Sequence, residues 1–298
     1  MSTRSRRTRS LTLRTSAKVN LVLEVLGKRT DGYHELSTVL QAVDLFDRLR
    51  LEEAEDLTLG SDDPELPTDD RNLVVKAARL LGEAAGVGRG ARITLEKRIP
   101  VAAGLGGGSS DAAAALWGLA RLWGLRWSLR RLAELAVQLR MDVPFFLRGG
   151  RALATGRGER LEALPSGPSV SLVLAKPDFP LSTREVYGRV PAALRDDGTK
   201  TRALTRALAS RDSSRVAAGL YNALESVVEP AHPEVSRTKR ALLSAGALGA
   251  VMSGSGPTVL AVARSRDHAR QIRDRVTTAS RSCWAVSTIG TPSIRRVG

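Results

Sequence analysis

The sequence predicts an α+β fold of two packed lobes. Three observations lead there. Strand-like alternation and helical spacing both occur along the chain, but they do not follow one another regularly, as they would in a doubly wound parallel sheet. There is no fixed-period repeat or low-complexity tract, which sets aside solenoids and propellers. A chain of 298 residues with 42% hydrophobic content can bury one large core or two packed ones.

The elements follow in order. Residues 12–24 alternate, with Leu13, Val19, Leu21 and Leu23 at one parity, which reads as a strand. Residues 39–51 form a second extended stretch, and 61–70, with Pro64 and Pro67, a polar loop. Leu73, Val74, Ala77, Leu80 and Leu81 recur at helical spacing until Gly86, a natural helix stop. Residues 91–97 read as a strand, 100–110 as a glycine-rich loop, and 112–123 as a helix apolar on most sides, hence buried. Ser128 suits the N-cap of a helix through Leu139. Strands are expected at 152–155 and 170–175. Between them, 164–169 holds Pro165, Gly167 and Pro168 and marks the boundary between lobes. The expected division is a basic arm at 1–10, a first lobe at 11–165 and a second at 166–298. The second lobe contains helices near 183–190, 222–228 and 233–245, a strand at 250–253, a glycine turn at 254–257 and a strand at 258–263. A helix near 267–277 and a last strand near 284–289 close it.

Composition excludes several functions. The net charge is +15, from 46 basic and 31 acidic residues, but aromatics are only 4%. Basic residues are spread along the chain, and base-stacking platforms need aromatics. No nucleic-acid partner is expected; the charge favours anionic small molecules. No run approaches a membrane span. Arg4, Arg6, Arg7 and Arg9 precede no apolar stretch, so no secretory leader is read and a cytoplasmic protein is expected. Cys283 is the only cysteine, which rules out an internal disulfide and a thiolate zinc site. His34, His232 and His268 show no metal-ligand spacing.

The most informative segment is Pro100-Val101-Ala102-Ala103-Gly104-Leu105-Gly106-Gly107-Gly108-Ser109-Ser110, set between a strand and a buried helix. Glycines let successive backbone N–H groups turn toward one anion. The following helix adds the positive end of its dipole. Ser109 and Ser110 are candidates to cap that helix or to offer hydroxyls to phosphate oxygens and a Mg²⁺ ion. The loop is not a Walker A loop, because no Gly-Lys-Ser/Thr triplet occurs, and the third glycine of a dinucleotide fingerprint is replaced by Ser109. Neither His-Arg-Asp nor Asp-Phe-Gly is present. By itself the loop indicates a phosphate group and nothing more specific.

The pattern Pro-x-x-x-Gly-Leu-Gly-x-x-Ser-Ser resembles the phosphate loop of the GHMP kinase superfamily. Four further segments resemble that family in the same order: Ala17-Lys18-Val19-Asn20-Leu21, Asp31-Gly32-Tyr33-His34-Glu35-Leu36, Asp142-Val143-Pro144-Phe145-Phe146-Leu147 and Met252-Ser253-Gly254-Ser255-Gly256-Pro257-Thr258. The resemblance spans nearly the whole chain. It implies a ribosomal-protein-S5-domain-2-like N-terminal lobe and a C-terminal α/β-plait lobe, with ATP as co-substrate and Mg²⁺ beside it. The Tyr33-His34 turn beside Lys18 points to the member acting on a cytidine-diphosphate-bearing methylerythritol in non-mevalonate isoprenoid synthesis. A homoserine- or mevalonate-type kinase, or a non-catalytic binding protein of the same fold, are the rival expectations. Small-molecule substrates are the expected partners, and the chain is expected to be a monomer or homodimer.

The resemblance also implies roles, each set against an ordinary reading. Lysine is scarce here, seven residues against 39 arginines. Lys18 is either an outward-facing strand residue or, as the resemblance implies, a catalytic cation that offsets charge on the transferring phosphoryl group. Asp142, before Pro144, is either a turn aspartate or the base that takes the proton of the substrate hydroxyl. Tyr33 and His34 are implied to hold the cytosine, with Tyr187 on its other side unless Tyr187 is simply a core residue. Asn20 and Thr183 are implied to bond the substrate's polar end. Lys97, at a strand end, either contacts nucleotide or is solvated. Just before Asp142, Arg140 and Met141 stand where the family usually has glycine and a small residue; their bulk is expected to shift Asp142 or tighten the pocket.

Overall fold

In the computed structural model, residues 9–210, 212–276 and 282–297 are described. The expected arm at 1–10 and the end of the helix at 277 fall largely outside them.

Two sheets carry the fold. The first is built on a long hairpin, β1 (Ser10–Lys28) and β2 (His34–Ala54), joined by β3 (Leu57–Ser61), β4 (Gly90–Glu96), β5 (Arg151–Gly156) and β6 (Arg160–Ala163). The second is antiparallel: β7 (Ser171–Lys176) lies between β11 (Ser282–Ser287) and β10 (Val259–Ala263), with β9 (Gly249–Met252) at the edge. The expected boundary at 164–169 lies between β6 and β7, but strands beyond it also join the first sheet. β8 (Tyr221–Asn222) and β12 (Ile294–Val297) both return to pair with β1.

Three apolar layers follow. Beneath the first sheet, Leu13, Leu49 and Leu51 pack against α1 (Leu73–Ala85), α2 (Gly107–Leu122), α3 (Leu129–Leu139) and α4 (Val143–Arg148). Between the sheets, Val19, Leu21 and Val39 meet Leu172, Leu174 and Leu260. Outside the second sheet, Val173 and Ala261 meet Val228, Val235, Leu242 and Ile272. These come from α8 (Glu225–Ala231), α9 (Pro233–Ser244) and α10 (Arg266–Val276). α5 (Thr183–Gly188), α6 (Thr199–Ala209) and α7 (Ser213–Ala218) complete the second half. Ser128 caps α3 by accepting the Arg131 N–H, and Gly86 ends α1 in a left-handed conformation. Sequence patterning passed over β3, β6, β8, β12, α4, α6 and α7. Most are short edge elements whose formation depends on a neighbour.

The single parity read over residues 12–24 is divided between two faces. The pairing of β1 with β2 shifts register between Ser16 and Ala17. A bulge moves subsequent side chains to the opposite face. Leu11 and Leu13 face the helices, whereas Ala17, Val19 and Leu21 face the second sheet. Lys18 and Asn20 are thereby turned toward the helical side. Among the described residues, no helix is long and apolar enough to cross a membrane.

Candidate active site

The bulge in β1 aims Lys18 at the start of α2, and the phosphate loop docks on that same residue, the Lys18 N–H donating to the Leu105 carbonyl at 2.9 Å. The Lys18 side chain is 6% exposed; its Nζ donates to Asn20 Oδ1 at 2.8 Å and stands 3.6 Å from Asp142 Oδ2. Asn20 donates in turn to Thr38 Oγ1, which donates to the Val22 carbonyl. Two buried side chains therefore hold the amine in place. Asp142 sits at the N-terminus of α4 with 38% of its side chain exposed. It forms no cap bond to the helix, so the carboxylate is open to a ligand. Arg140 is exposed and Met141 only half-buried. With these residues beside it, Asp142 Oδ2 stands 3.6 Å from Lys18 Nζ.

The loop is shaped by glycine where backbone requires it. Gly104 has φ +76°, and a Cβ there would meet the Ser253 carbonyl oxygen at 2.3 Å. Gly106 caps α2 with φ +73° and no side-chain bond, and a Cβ there would meet the Phe146 ring of α4 at 2.8 Å. The backbone N–H groups of residues 105–109 find no acceptor among the described residues. Unpaired amides at a helix N-terminus form an anion site. The second glycine turn closes the site. Ser253 Oγ donates to the Gly104 carbonyl and accepts the Asn20 N–H. A Cβ on Gly254 would lie 3.0 Å from Asn20 Oδ1 and 3.5 Å from Lys18 Nζ. Asn222 holds this turn by donating to the Met252 and Gly254 carbonyls.

Three expectations are revised by the packing. Neither Ser109 nor Ser110 caps α2. Ser110 faces β1, is fully buried, and its hydroxyl bonds the Ser16 carbonyl and Thr15. That hydroxyl is therefore unavailable to phosphate. Lys97 points beneath the loop, its ammonium held by Asp47 and by Asp111 Oδ2. Burial works against its charge, but its contacts with Asp111 and Asp47 outweigh burial and raise its pKa. It is neither solvated nor free to meet a nucleotide. Asn20's polar atoms bond Lys18 and Thr38, so its role is to position the amine. Ser109 remains, in the first turn of α2, with no hydrogen bond to its hydroxyl among the described residues. No cluster of three or more acidic, histidine or cysteine ligands occurs among those residues.

The 31–34 turn and α5 face each other across the cleft. Tyr33 is 54% exposed, with the Arg157 guanidinium 5.0 Å from its ring centroid. The His34 and Tyr187 rings lie 5.7 Å apart. Burial, then the charge of Lys28, holds the His34 pKa below its usual value, so a neutral ring is presented at pH 7. Burial, then the negative charge of Asp142, pushes the Tyr187 hydroxyl up. The Tyr187 hydroxyl is thus near enough to Asp142 to feel its charge. Thr183 Oγ1 is 2.9 Å from Ser255 Oγ, joining α5 to the second glycine turn. Thr38, Asn222, Ser253, Arg157 and Asp47 were not among the candidates. Only Asp47 left a readable signal, an acid at the inward parity of Leu45, Leu49 and Leu51.

A mixed two-lobed fold with an amide cradle, an amine and a carboxylate converging on it is the arrangement of a small-molecule kinase. The chain belongs to the GHMP kinases: residues 72–150 match the family's N-terminal domain and residues 204–281 its C-terminal domain. Among its relatives are proteins named 4-diphosphocytidyl-2-C-methyl-D-erythritol kinase. That of Pelotomaculum thermopropionicum is 50% identical over 87% of this chain and 91% of its own length. That of Symbiobacterium thermophilum is 49% identical over 92% and 98%. A crystal structure of 4-(cytidine 5'-diphospho)-2C-methyl-D-erythritol kinase superposes with a TM-score of 0.81, at 37% identity, over 94% of this chain and all of that one. A homoserine kinase from Cytophaga hutchinsonii, at 21% identity and a TM-score of 0.77, shares the fold.

Proposed function

We propose that this chain phosphorylates 4-diphosphocytidyl-2-C-methyl-D-erythritol, transferring the γ-phosphoryl group of ATP to its 2-hydroxyl and releasing ADP. The observation that carries this reading is the Lys18–Asp142 pair, 3.6 Å apart, facing a loop whose amides have no acceptor among the described residues. Phosphoryl transfer requires an aligned nucleophile and compensation of charge. In this reading the 105–109 amides take the phosphate oxygens. The Asp142 carboxylate accepts the proton of the attacking hydroxyl, and the Lys18 ammonium stands beside the oxygen that loses it. The phosphates and the Ser109 hydroxyl would hold a Mg²⁺ ion, which would supply compensation of the phosphate charge. Tyr33, His34 and Tyr187 take the cytosine: two rings offer faces, and the neutral His34 offers a hydrogen bond. Thr183, at the α5 end of the cleft, is assigned to the alcohol's polar end. The lone thiol of Cys283 and the use of ATP support a cytoplasmic reaction.

The test is an ADP-release assay with purified protein, ATP and Mg²⁺, offering in turn the cytidine-bearing alcohol, homoserine and mevalonate. Release that depends on the first alone is expected, with one new phosphomonoester by phosphorus NMR. Turnover of homoserine or mevalonate without the cytidine alcohol would reject the substrate; no alcohol-dependent release would reject the activity.

A further inference from the structure

A loop whose amides converge on one anion works only if its two ends are held in fixed relation. The incoming end is residues 97–99, after β4; the outgoing end is the first turns of α2. Both ends are tied to one group below them. Asp47, on β2, is fully buried. Its Oδ1 accepts the backbone N–H of Arg98 at 2.6 Å and of Ile99 at 2.8 Å, immediately before Pro100. Its Oδ2 takes the Lys97 ammonium, and that ammonium also donates to Asp111 Oδ2 at 2.8 Å in α2. The ammonium lies directly under the helix start, 3.2 Å from where a Cβ of Gly107 would be. A chain of contacts, β2 to loop entry to helix N-terminus, therefore closes beneath the amides that face phosphate.

We propose that Asp47 is a positioning residue for the nucleotide: it clasps the two ends of the phosphate loop and so sets the convergence of the 105–109 amides. This rests on reading that loop as the ATP site. Stability alone accounts poorly for such an arrangement, because a buried ion cluster is seldom more stable than apolar side chains of the same volume. Its geometry is specific where apolar packing is not: two consecutive amides and one ammonium are each given a fixed acceptor. Loosening the clasp spreads the donors, which weakens phosphate binding while leaving Lys18, Asp142 and the aromatic cleft in place.

The test is D47N, which keeps an acceptor for the two amides but turns an N–H₂ group toward the Lys97 ammonium. KM for ATP is expected to rise tenfold or more. The KM for the alcohol should stay within twofold and kcat at saturating ATP within threefold, and ADP affinity by calorimetry should fall in step with the ATP effect. A purely structural role predicts a lower melting temperature with an unchanged KM for ATP, and that result overturns the proposal. If D47N does not fold, K97M breaks the clasp from its other side with the amide bonds kept; an unchanged KM for ATP in K97M also overturns it. Wild-type protein that shows no saturable dependence on ATP would instead reject the kinase reading, so the two failures are distinguishable.

Discussion

The substitution Asp142→Asn separates chemistry from folding. It is isosteric, and the structure gives the carboxylate little to do for stability. Its side chain is 38% exposed, it makes no cap bond to α4, and its ion pair with Lys18 is long at 3.6 Å. Solvent at the part-exposed Asp142 screens the pair, but the Lys18 ammonium is buried, so losing its counter-charge costs about 1–2 kcal/mol, or about 2–4 °C in melting temperature for each kcal/mol. The catalytic loss is of another order. A positioned general base contributes about 10²–10⁴ in rate, equivalent to about 3–5 kcal/mol in the barrier. The amides of 105–109 are untouched, so KM for ATP should stay within about threefold of wild type. The assay is coupled ADP release with both substrates saturating, beside thermal denaturation of the same preparations. A kcat within tenfold of wild type would refute the assignment of Asp142 as base. So would a loss of activity that merely tracks a large fall in melting temperature, since the residue would then be structural.

Two further outcomes are expected. Gly254→Ala puts a methyl group 3.0 Å from Asn20 Oδ1 and 3.5 Å from Lys18 Nζ, at φ +59°. The left-handed backbone costs about 1–2 kcal/mol, and displacement of the amine should lower kcat at least tenfold; wild-type kcat in this variant would contradict the placement of Lys18. Asp111 tests the clasp by pH. Burial first, with the Asp47 charge reinforcing it and the Lys97 ammonium opposing it, pushes its carboxyl up to about 8. The folded state thus holds this proton more tightly than the unfolded chain. The associated stability is complete at acid pH and is lost as pH rises through about 8. Relative to Asp111→Asn, wild type should lose stability in urea titrations from pH 5 to pH 8 and change little above pH 9; an opposite slope would contradict the environment given to Asp111.

Much of the fold was legible because it is local. Gly86 and Ser128 end and start helices through their own backbone and hydroxyl chemistry, and the strand, loop and buried helix around residues 91–122 need only patterning to be read. Lys18 and Asp142 were legible as charges at unusual positions, but only the resemblance joined residues so far apart in sequence. The cleft was less legible. Arg157 and Thr38 carry no sign of their neighbours in the sequence, and Ser110 carries a misleading one. Its hydroxyl follows the glycine run, yet the helical turn carries it to the inner face against β1.

The sequence by itself determined the irregular mixture of strands and helices and a glycine loop suited to phosphate. These depend on residue type, spacing and backbone freedom, which act over a few positions. The tertiary structure alone decided which face of β1 Lys18 occupies, because a bulge shifts register only when a partner strand is present. It also decided that β12 closes the first sheet, and that Lys97 lies between Asp47 and Asp111 beneath the loop rather than at its mouth. Each of these depends on contacts between distant segments, whose pairing is set by burying all three apolar layers at once.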